Sequence, residues 1–456
     1  MLITHNQQTI VRFLISCFAA GSILGASATQ AQGSRDENLL LADDGTAGDA
    51  FGWDVAIDGG VVAVSALGDD DMGTDTGSVY LYDADSRELL HKLLPIDGQS
   101  PTNFGGVIAM KDGLVAIGAV EDNDSGFFSG SVALFSSTTG KLITELYADD
   151  GEAFDLFGTS VAIGSNVVAV GATGDSVNGL NSGSVYIFDA LSGAQLAKIV
   201  PENGHSSAVF GNSIAIENDL LVVGAWGHQN NDGSAGAAYL FDINTGEQLN
   251  KLQGGDSNPL SLFGWAVAIE NETVAVSALR ESGNGFRTGT VYLFDASSGQ
   301  QLAKLLPGDT LGSNDGFGDS IEIDGGYIAV GTGLAGSAYL FDTTTMIQVA
   351  RVVPGTRSSG RDSLFGSAVA IDDDILVAGA WLNDANGTES GSAYLFDVDD
   401  VLCPADTNHD GVLDVADFTY WLFARSSQTP ECDQNGDGSC TPTDFTAWVA
   451  NFNAGC

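Results

Sequence analysis

Read for apolar and polar positions, the stretch from Phe263 to Asp309 breaks into four short runs, WAVAIE, TVAVSAL, GTVYLFD and QQLAKLL. The turn-rich segments ENE, RESGNGFR and ASSG divide them. Runs of this length, bounded by Gly, Asn and Ser, predict four β-strands. The second run is apolar almost throughout in every related stretch (VVAVSA, LVAIGA, VVAVGA, LLVVGA, TVAVSA, YIAVGT, ILVAGA). Both faces of that strand must therefore be covered, as they are when a sheet is sandwiched between two others. Its Ala and Gly content suits inner strands, where sheets converge and backbones approach closely. Four short strands per unit, with covered faces, describe the blade of a β-propeller.

The unit recurs. Phe-Gly stands at Phe51, Phe104, Phe157, Phe210, Phe263, Phe317 and Phe365, at spacings of 53, 53, 53, 53, 54 and 48 residues. A second signature keeps step with it, from GSVYLYD at Gly77 to GSAYLFD at Gly391. A period near 50 marks a repeat architecture. The last repeat holds only three strands before Cys403, and NLLLADDG at 38–45 matches the fourth-strand endings KLLPIDG and ELYADDG. That segment is expected to complete the seventh sheet and so remove two exposed edges. The expected fold is all-β: a seven-bladed β-propeller over 36–400, closed by an N-terminal strand, followed by a small α-helical calcium-loop domain at 403–456.

The Phe-Gly and Gly-Ala alternation (Phe157-Gly158 with Gly171-Ala172, Phe210-Gly211 with Gly224-Ala225) resembles the FG-GAP repeats of integrin-alpha-type propellers. The resemblance covers about residues 38–398 and implies an extracellular adhesion or ligand-binding platform. Integrin-type repeats often carry an Asp-rich calcium loop between the first two strands, whereas this chain has tight turns such as IDGGVV and IENETV there. Turns of the form D-x-x-[ST]-G, as at Asp189, Asp242 and Asp295, are similar to those of quinoprotein propellers. The tryptophans argue against that class, because Trp53, Trp226, Trp265 and Trp381 all follow Phe-Gly or Gly-Ala.

Charge narrows the partners. With 60 Asp and Glu against 15 Lys and Arg, the chain repels phosphate backbones and anionic membrane surfaces, so nucleic acid is not an expected partner. No stretch after the N-terminal run approaches the ~20 uninterrupted apolar residues of a membrane span, so none is expected. Residues 1–31 read as an export signal: Arg12, an apolar run from Phe13 to Ala26, then small residues ending at Ala28 or Ala31. Leu14-Ile15-Ser16-Cys17 resembles a lipobox, but only four residues separate Arg12 from Cys17. A secreted, extracellular or cell-surface protein is the expectation. Cys403, Cys432, Cys440 and Cys456 are an even set in a short exported segment, which points to two disulfides; the sequence does not choose among the three pairings. A four-cysteine zinc site would normally show close Cys-x-x-Cys pairs, which are missing.

The loops between second and third strands vary most. Asp69, Asp70 and Asp71, or Glu121, Asp122 and Asp124, offer oxygens for calcium, but Asp-Gly and Asn-Gly pairs are also simply good turn formers. Sharper chemistry follows Cys403, where DTNHDGVLDVADF from Asp406 and DQNGDGSCTPTDF from Asp433 repeat the D-x-N-x-D-G pattern with Asp at position twelve. Such loops deliver oxygens at alternate positions, with Gly at the sixth making the sharp turn. The expected calcium ligands are Asp406, Asn408, Asp410, the Val412 carbonyl, Asp414 and Asp417, then Asp433, Asn435, Asp437, the Ser439 carbonyl, Thr441 and Asp444. One amphipathic helix follows each loop, DFTYWLFA and DFTAWVANF. This duplicated loop-and-helix resembles a type I dockerin, in the cysteine-bearing form that ends in Gly-Cys. The resemblance implies two structural calcium ions and a cohesin-like or cell-surface protein partner, contacted by Val415 with Ala416 and Pro442 with Thr443. The Ser-Thr pair usual at those positions is absent.

No feature of the propeller reads as catalytic: the histidines form no H-E-x-x-H, and no G-x-S-x-G occurs. His205 and His228 are expected to be solvated loop residues. The expectation is a non-enzymatic binding or adhesion protein whose propeller takes a protein or glycan ligand. The alternative is a component or enzyme of a polysaccharide-degrading complex docked through the same tail.

Overall fold

The computed structural model describes residues 39–96, 102–230, 233–234, 236–255, 260–283, 285–308, 311–354, 363–402 and 415–427, with positions 445, 446, 448, 449 and 452. The chain divides into two compact units, one of them Asn38–Val398 and the other containing Asp399–Cys456.

The first unit is built of seven antiparallel four-stranded sheets, with a two-stranded ribbon, Gln229–Asn230 against Gly233–Ser234, in the second-to-third loop of blade 4. Blade 3 shows the plan: Phe157–Ile163, Val167–Ala172, Ser184–Asp189 and Gln195–Ile199, paired in that order. Blades 1 and 2 span 51–93 and 104–146; blades 4, 5 and 6 span 214–252, 263–305 and 317–352. Blade 7 uses Val369–Asp372, Ile375–Ala380 and Ser392–Asp397, and its fourth strand is Leu39–Leu40, with Leu39 opposite Tyr394 and Leu40 opposite Ala393. The closing strand read from the sequence is thus in place.

Each first strand contacts the first strands of both neighbouring blades, so these seven form the innermost ring. The second strands are buried on both faces, as their unbroken apolar runs require. The core lies between blades. One cluster joins Val132, Leu134 and Phe157 of blades 2 and 3; another joins Val185, Ile187, Phe210 and Tyr239 of blades 3 and 4.

The Phe-Gly repeat has a physical reason. Phe157 is fully buried, with Tyr186 and Phe188 edge-on at 5.6 and 5.7 Å from the third strand of the same blade. Burying such a ring contributes about 1.5–3 kcal/mol, and each aromatic contact adds ~0.5–1.5 kcal/mol. Gly158, at φ +89°, forms the bulge that shifts the register between Phe157 and Ser160. The preceding blade supplies a partner: Gly130, at φ +81°, bridges Phe157, and a Cβ there would overlap the Phe157 carbonyl. The same Gly–Phe bridge recurs at Gly183–Phe210, Gly236–Phe263, Gly289–Phe317 and Gly391–Phe51.

The opposite end is stapled by acids that close the first strands. Glu217 Oε1 accepts from Asn271 N at 2.7 Å, Asp324 Oδ2 from Asp373 N at 2.8 Å, and Asp372 Oδ2 from Gly59 N at 2.8 Å. In each pair the donor belongs to the first turn of the next blade. The D-x-x-[ST]-G turns are explained as well: Asp189 Oδ1 accepts from Ser192 N and Oγ at 2.7 and 2.6 Å.

In the second unit, helix Val415–Ser427 buries Asp417, Trp421 and Ala424 on one face. Trp421, Trp448 and Val449 form a small core with Phe418, Phe445 and Phe452. Among the described residues no helix is long and apolar enough to cross a membrane.

Candidate ligand-binding face

Antiparallel order puts the second-to-third loops and the inter-blade loops at the same end of the propeller. On that face one arrangement repeats. In blade 1 the Lys92 ammonium lies 2.9, 2.6 and 2.8 Å from Asp69, Asp71 and Asp44, and 4.8 Å from the centre of the Tyr80 ring. The Tyr80 hydroxyl lies 2.7 and 2.9 Å from carboxylate oxygens of Asp44 and Asp69, which share its one proton. In blade 3 Lys198 lies 2.6 and 2.7 Å from Asp175 and Asp150, and 4.9 Å from the centre of the Tyr186 ring. Burial pushes the Asp175 carboxyl up, but bonds from Lys198 and Tyr186 outweigh it and hold the group below its ordinary value. Burial likewise opposes the Lys198 charge, and Asp150 and Asp175 together raise its pKa. Each such site is a lysine seat, in which cross-strand Tyr and Lys meet an acid from the loop above. Asp69 and Asp71, two of the acids weighed as calcium ligands, therefore hold an ammonium. Asp70 caps its own loop, accepting from Asp75 N at 2.8 Å.

Blade 4 alters the seat. His228 stands where Asp175 stands in blade 3, and it is buried rather than solvated as expected. Its Nδ1 is 3.0 Å from the Tyr239 hydroxyl and its Nε2 2.8 Å from Lys251 Nζ. The His205 ring lies 4.6 Å away, centre to centre. Burial, then the Lys251 charge, push the His228 imidazole down to about 4, and burial also lowers Lys251.

Blade 2 removes the seat's occupant. Ala133 and Glu145 are the cross-strand pair that replaces Tyr and Lys. The vacated space is a cavity of about 60 Å³ whose lining includes Thr102, Asp122, Asp124, Ser131, Ala133 and Glu145. Asp122 Oδ2 accepts from Ser131 Oγ at 2.5 Å. The Tyr147 hydroxyl lies 3.2 Å from Glu145 and 3.5 Å from Asp124, and burial followed by the nearby carboxylates raises its pKa.

Three rings stand on the loops beside this cavity. Phe127 stacks on Phe128 at 4.2 Å, and Phe154 meets Phe127 at 5.4 Å and Phe128 at 6.1 Å. Phe127 and Phe154 are 56% and 58% exposed. Phe154 adopts φ +71°, a conformation unfavourable to a bulky residue, where the equivalent position before blade 1 is Gly48. The loop is held by bonds from Phe154 N to Phe127 O (2.9 Å) and from Leu156 N to Phe128 O (3.2 Å). Leu180, Leu260 and Phe286 are further exposed apolar residues of the same face.

The expected tail ligands fall mostly outside the described residues: Asp406, Asn408, Asp410, Val412, Asp414, Asp433, Asn435, Asp437, Ser439, Thr441 and Asp444, with Pro442, Thr443 and all four cysteines Cys403, Cys432, Cys440 and Cys456. Val415 and Ala416 open the helix, with Val415 exposed, and Asp417 is buried in its first turn. Among the described residues no three His, Cys, Asp or Glu side chains are placed to share a metal ion. The seats escaped the sequence reading, although aligning the repeats at Asp69, Tyr80 and Lys92 displays them.

Blade, bridge and repeat together define a seven-bladed β-propeller. The chain belongs to the FG-GAP repeat family, whose repeat matches residues 35–82, 89–135, 142–188, 194–241, 247–294 and 348–396, more than half of the chain. The unmatched stretch holds most of blade 6, whose second-to-third loop is cut to four residues between Thr332 and Ser337. None of the curated proteins matches the chain significantly.

Proposed function

We propose that this is a secreted or cell-surface binding protein rather than an enzyme, with the loop face of blades 2 and 3 as its ligand site and the C-terminal module as its tether. The observation that carries the reading is the Phe127–Phe128–Phe154 cluster, of which Phe127 and Phe154 are exposed although Phe154 sits in a strained backbone conformation. A clustered apolar patch ringed by polar loops is the usual form of a contact surface. The tail is read as a dockerin-like domain that binds two calcium ions through the loops at Asp406 and Asp433, crosslinked by its four cysteines, and engages a cohesin-like or cell-surface protein. The duplicated calcium-loop pattern supports this, as does the small size of a module that needs ions and disulfides for stability.

Two measurements test the proposal. Protein and glycan arrays probed with the full-length chain and with Phe127→Ser/Phe154→Ser should show ligands lost at least about tenfold in the variant; equal binding by both would sink the loop face. Calorimetry should find two calcium sites in the full chain, one each lost in Asp410→Ala and Asp437→Ala. Unchanged stoichiometry would remove calcium from the tail.

A further inference from the structure

We propose that a notch on the loop face between blades 5 and 6 is a second binding site, which takes a sugar acid of monosaccharide size through its carboxylate. The notch accompanies a deletion. The second-to-third loop of blade 6 has four residues, against eleven in blades 1, 2 and 3. Beside this cut loop lies a space of about 340 Å³, lined by Leu279, Arg280 and Arg287 of blade 5 and, on the side of blade 6, by Asn314, Asp319 and Leu334.

The charge in the notch runs against that of the chain. The net charge is −45 and there are only 15 Lys and Arg, yet two of them line this one space. Blades 1 and 3 carry Gly68 and Gly174 at the position of Arg280, and Asp75 and Asn181 at that of Arg287; no other blade has an arginine at either. Both arginines stand on fixed backbone. Arg280 N donates to Ser261 O at 2.9 Å, and Arg287 N to Ser282 Oγ at 3.1 Å. The Arg287 guanidinium also lies 5.3 Å from the centre of the Phe286 ring.

The two sides of the notch ask for different groups. Paired guanidiniums on the blade 5 side suit a planar anion, which each can hold through parallel N–H donors. On the blade 6 side, Asp319 Oδ1 accepts from Trp265 Nε1 at 3.1 Å, and its Oδ2 faces Gly333, where a Cβ would overlap it. Asp319 and Asn314 offer acceptors and a donor to hydroxyls. A bare anion would be repelled by Asp319, whereas a ligand with hydroxyls opposite its carboxylate satisfies both sides. Leu279 and Leu334 add apolar surface for the C–H face of a ring. The volume is at the low end of small-molecule sites, ~300–1,000 Å³, and matches one or two sugar rings. A long polyanion is disfavoured by the charge of the whole chain. This site lies apart from the aromatic cluster of blades 2 and 3 and does not depend on it.

The test titrates the full-length chain with methyl glucuronide, followed by ligand-observed NMR, with methyl glucoside as the neutral control. The glucuronide should bind at least about tenfold more tightly than the glucoside. Arg280→Gln and Arg287→Gln should each weaken the glucuronide at least about fivefold with the Tm unchanged. Phe127→Ser/Phe154→Ser should bind it as the parent chain does. Equal binding of the two glycosides, no detectable binding, or undiminished binding by both arginine variants overturns the proposal. Loss of binding in the phenylalanine variant overturns the placement between blades 5 and 6. Tighter binding of glucose 6-phosphate overturns the carboxylate assignment, and tighter binding of Nα-acetyl-aspartate methylamide overturns the sugar in favour of an acidic peptide.

Discussion

Blades 2 and 3 share strand order, the Phe-Gly bulge and the Gly–Phe bridge, yet differ at one cross-strand pair. In blade 3 Tyr186 faces Lys198, and the ammonium pairs with both Asp175 and Asp150. In blade 2 Ala133 faces Glu145, and a cavity lies among the acids instead. The backbone is indifferent to the exchange because its stability comes from the inter-blade apolar clusters. One copy in a repeat fold can therefore drop a structural contact that its neighbours retain without loss of the strand order.

The greatest loss of stability is expected in the apolar core that the two blades share. Phe157→Ala should cost about 3–5 kcal/mol in denaturant unfolding. Phe104→Ala should cost ~1 kcal/mol less, because Ala133 has removed one ring partner. Equal costs would show that the tyrosine contributes nothing to the blade core.

The next test acts on the pair itself. Lys198→Met leaves the buried Asp175 uncompensated and should lose about 2 kcal/mol at pH 7, allowing for the solvent that reaches Asp150 and Lys198. Glu145→Met should be neutral or stabilising. Because Asp175 and Asp150 titrate below the ordinary aspartate value of 3.8 in the folded chain, the Lys198 contribution is present above that pH and fades as pH falls through the depressed values. A pH-independent penalty would break the ion-pair account.

The smallest effect belongs to blade 4. His228 titrates at about 4 when folded, against an ordinary value of 6.5, so its contribution is whole above 6.5 and lost as pH falls toward 4. The groups facing it are Tyr239, Lys251 and His205. His228→Asp recreates the blade 3 seat and should flatten that acid loss, read from Tm between pH 7 and 4. An unchanged acid limb would place the sensitivity elsewhere.

Much of the fold was legible in the chain. The Phe-Gly period counted the blades, and NLLLADDG announced the closing strand because its pattern matched the other fourth strands. The site was less legible. The aromatic cluster joins Phe127 and Phe128 to Phe154, which belongs to the next repeat, and their exposure depends on a backbone turn that periodicity does not report. His228 read as a loop residue because its burial comes from Tyr239 on a later strand and from His205 on the preceding inter-blade loop.

The sequence by itself determined the all-β class, the seven-fold repeat and the strand-swapped closure, because these follow from local apolar runs and turn residues repeated at one period. It also set the acidic charge, from 60 Asp and Glu against 15 Lys and Arg. Only the tertiary structure decided which acids hold a lysine, in which blade a small cavity lies beside the loop acids and where three rings meet. Those facts depend on cross-strand register and on contact between neighbouring blades, and both are set by packing across tens of residues rather than by any local pattern.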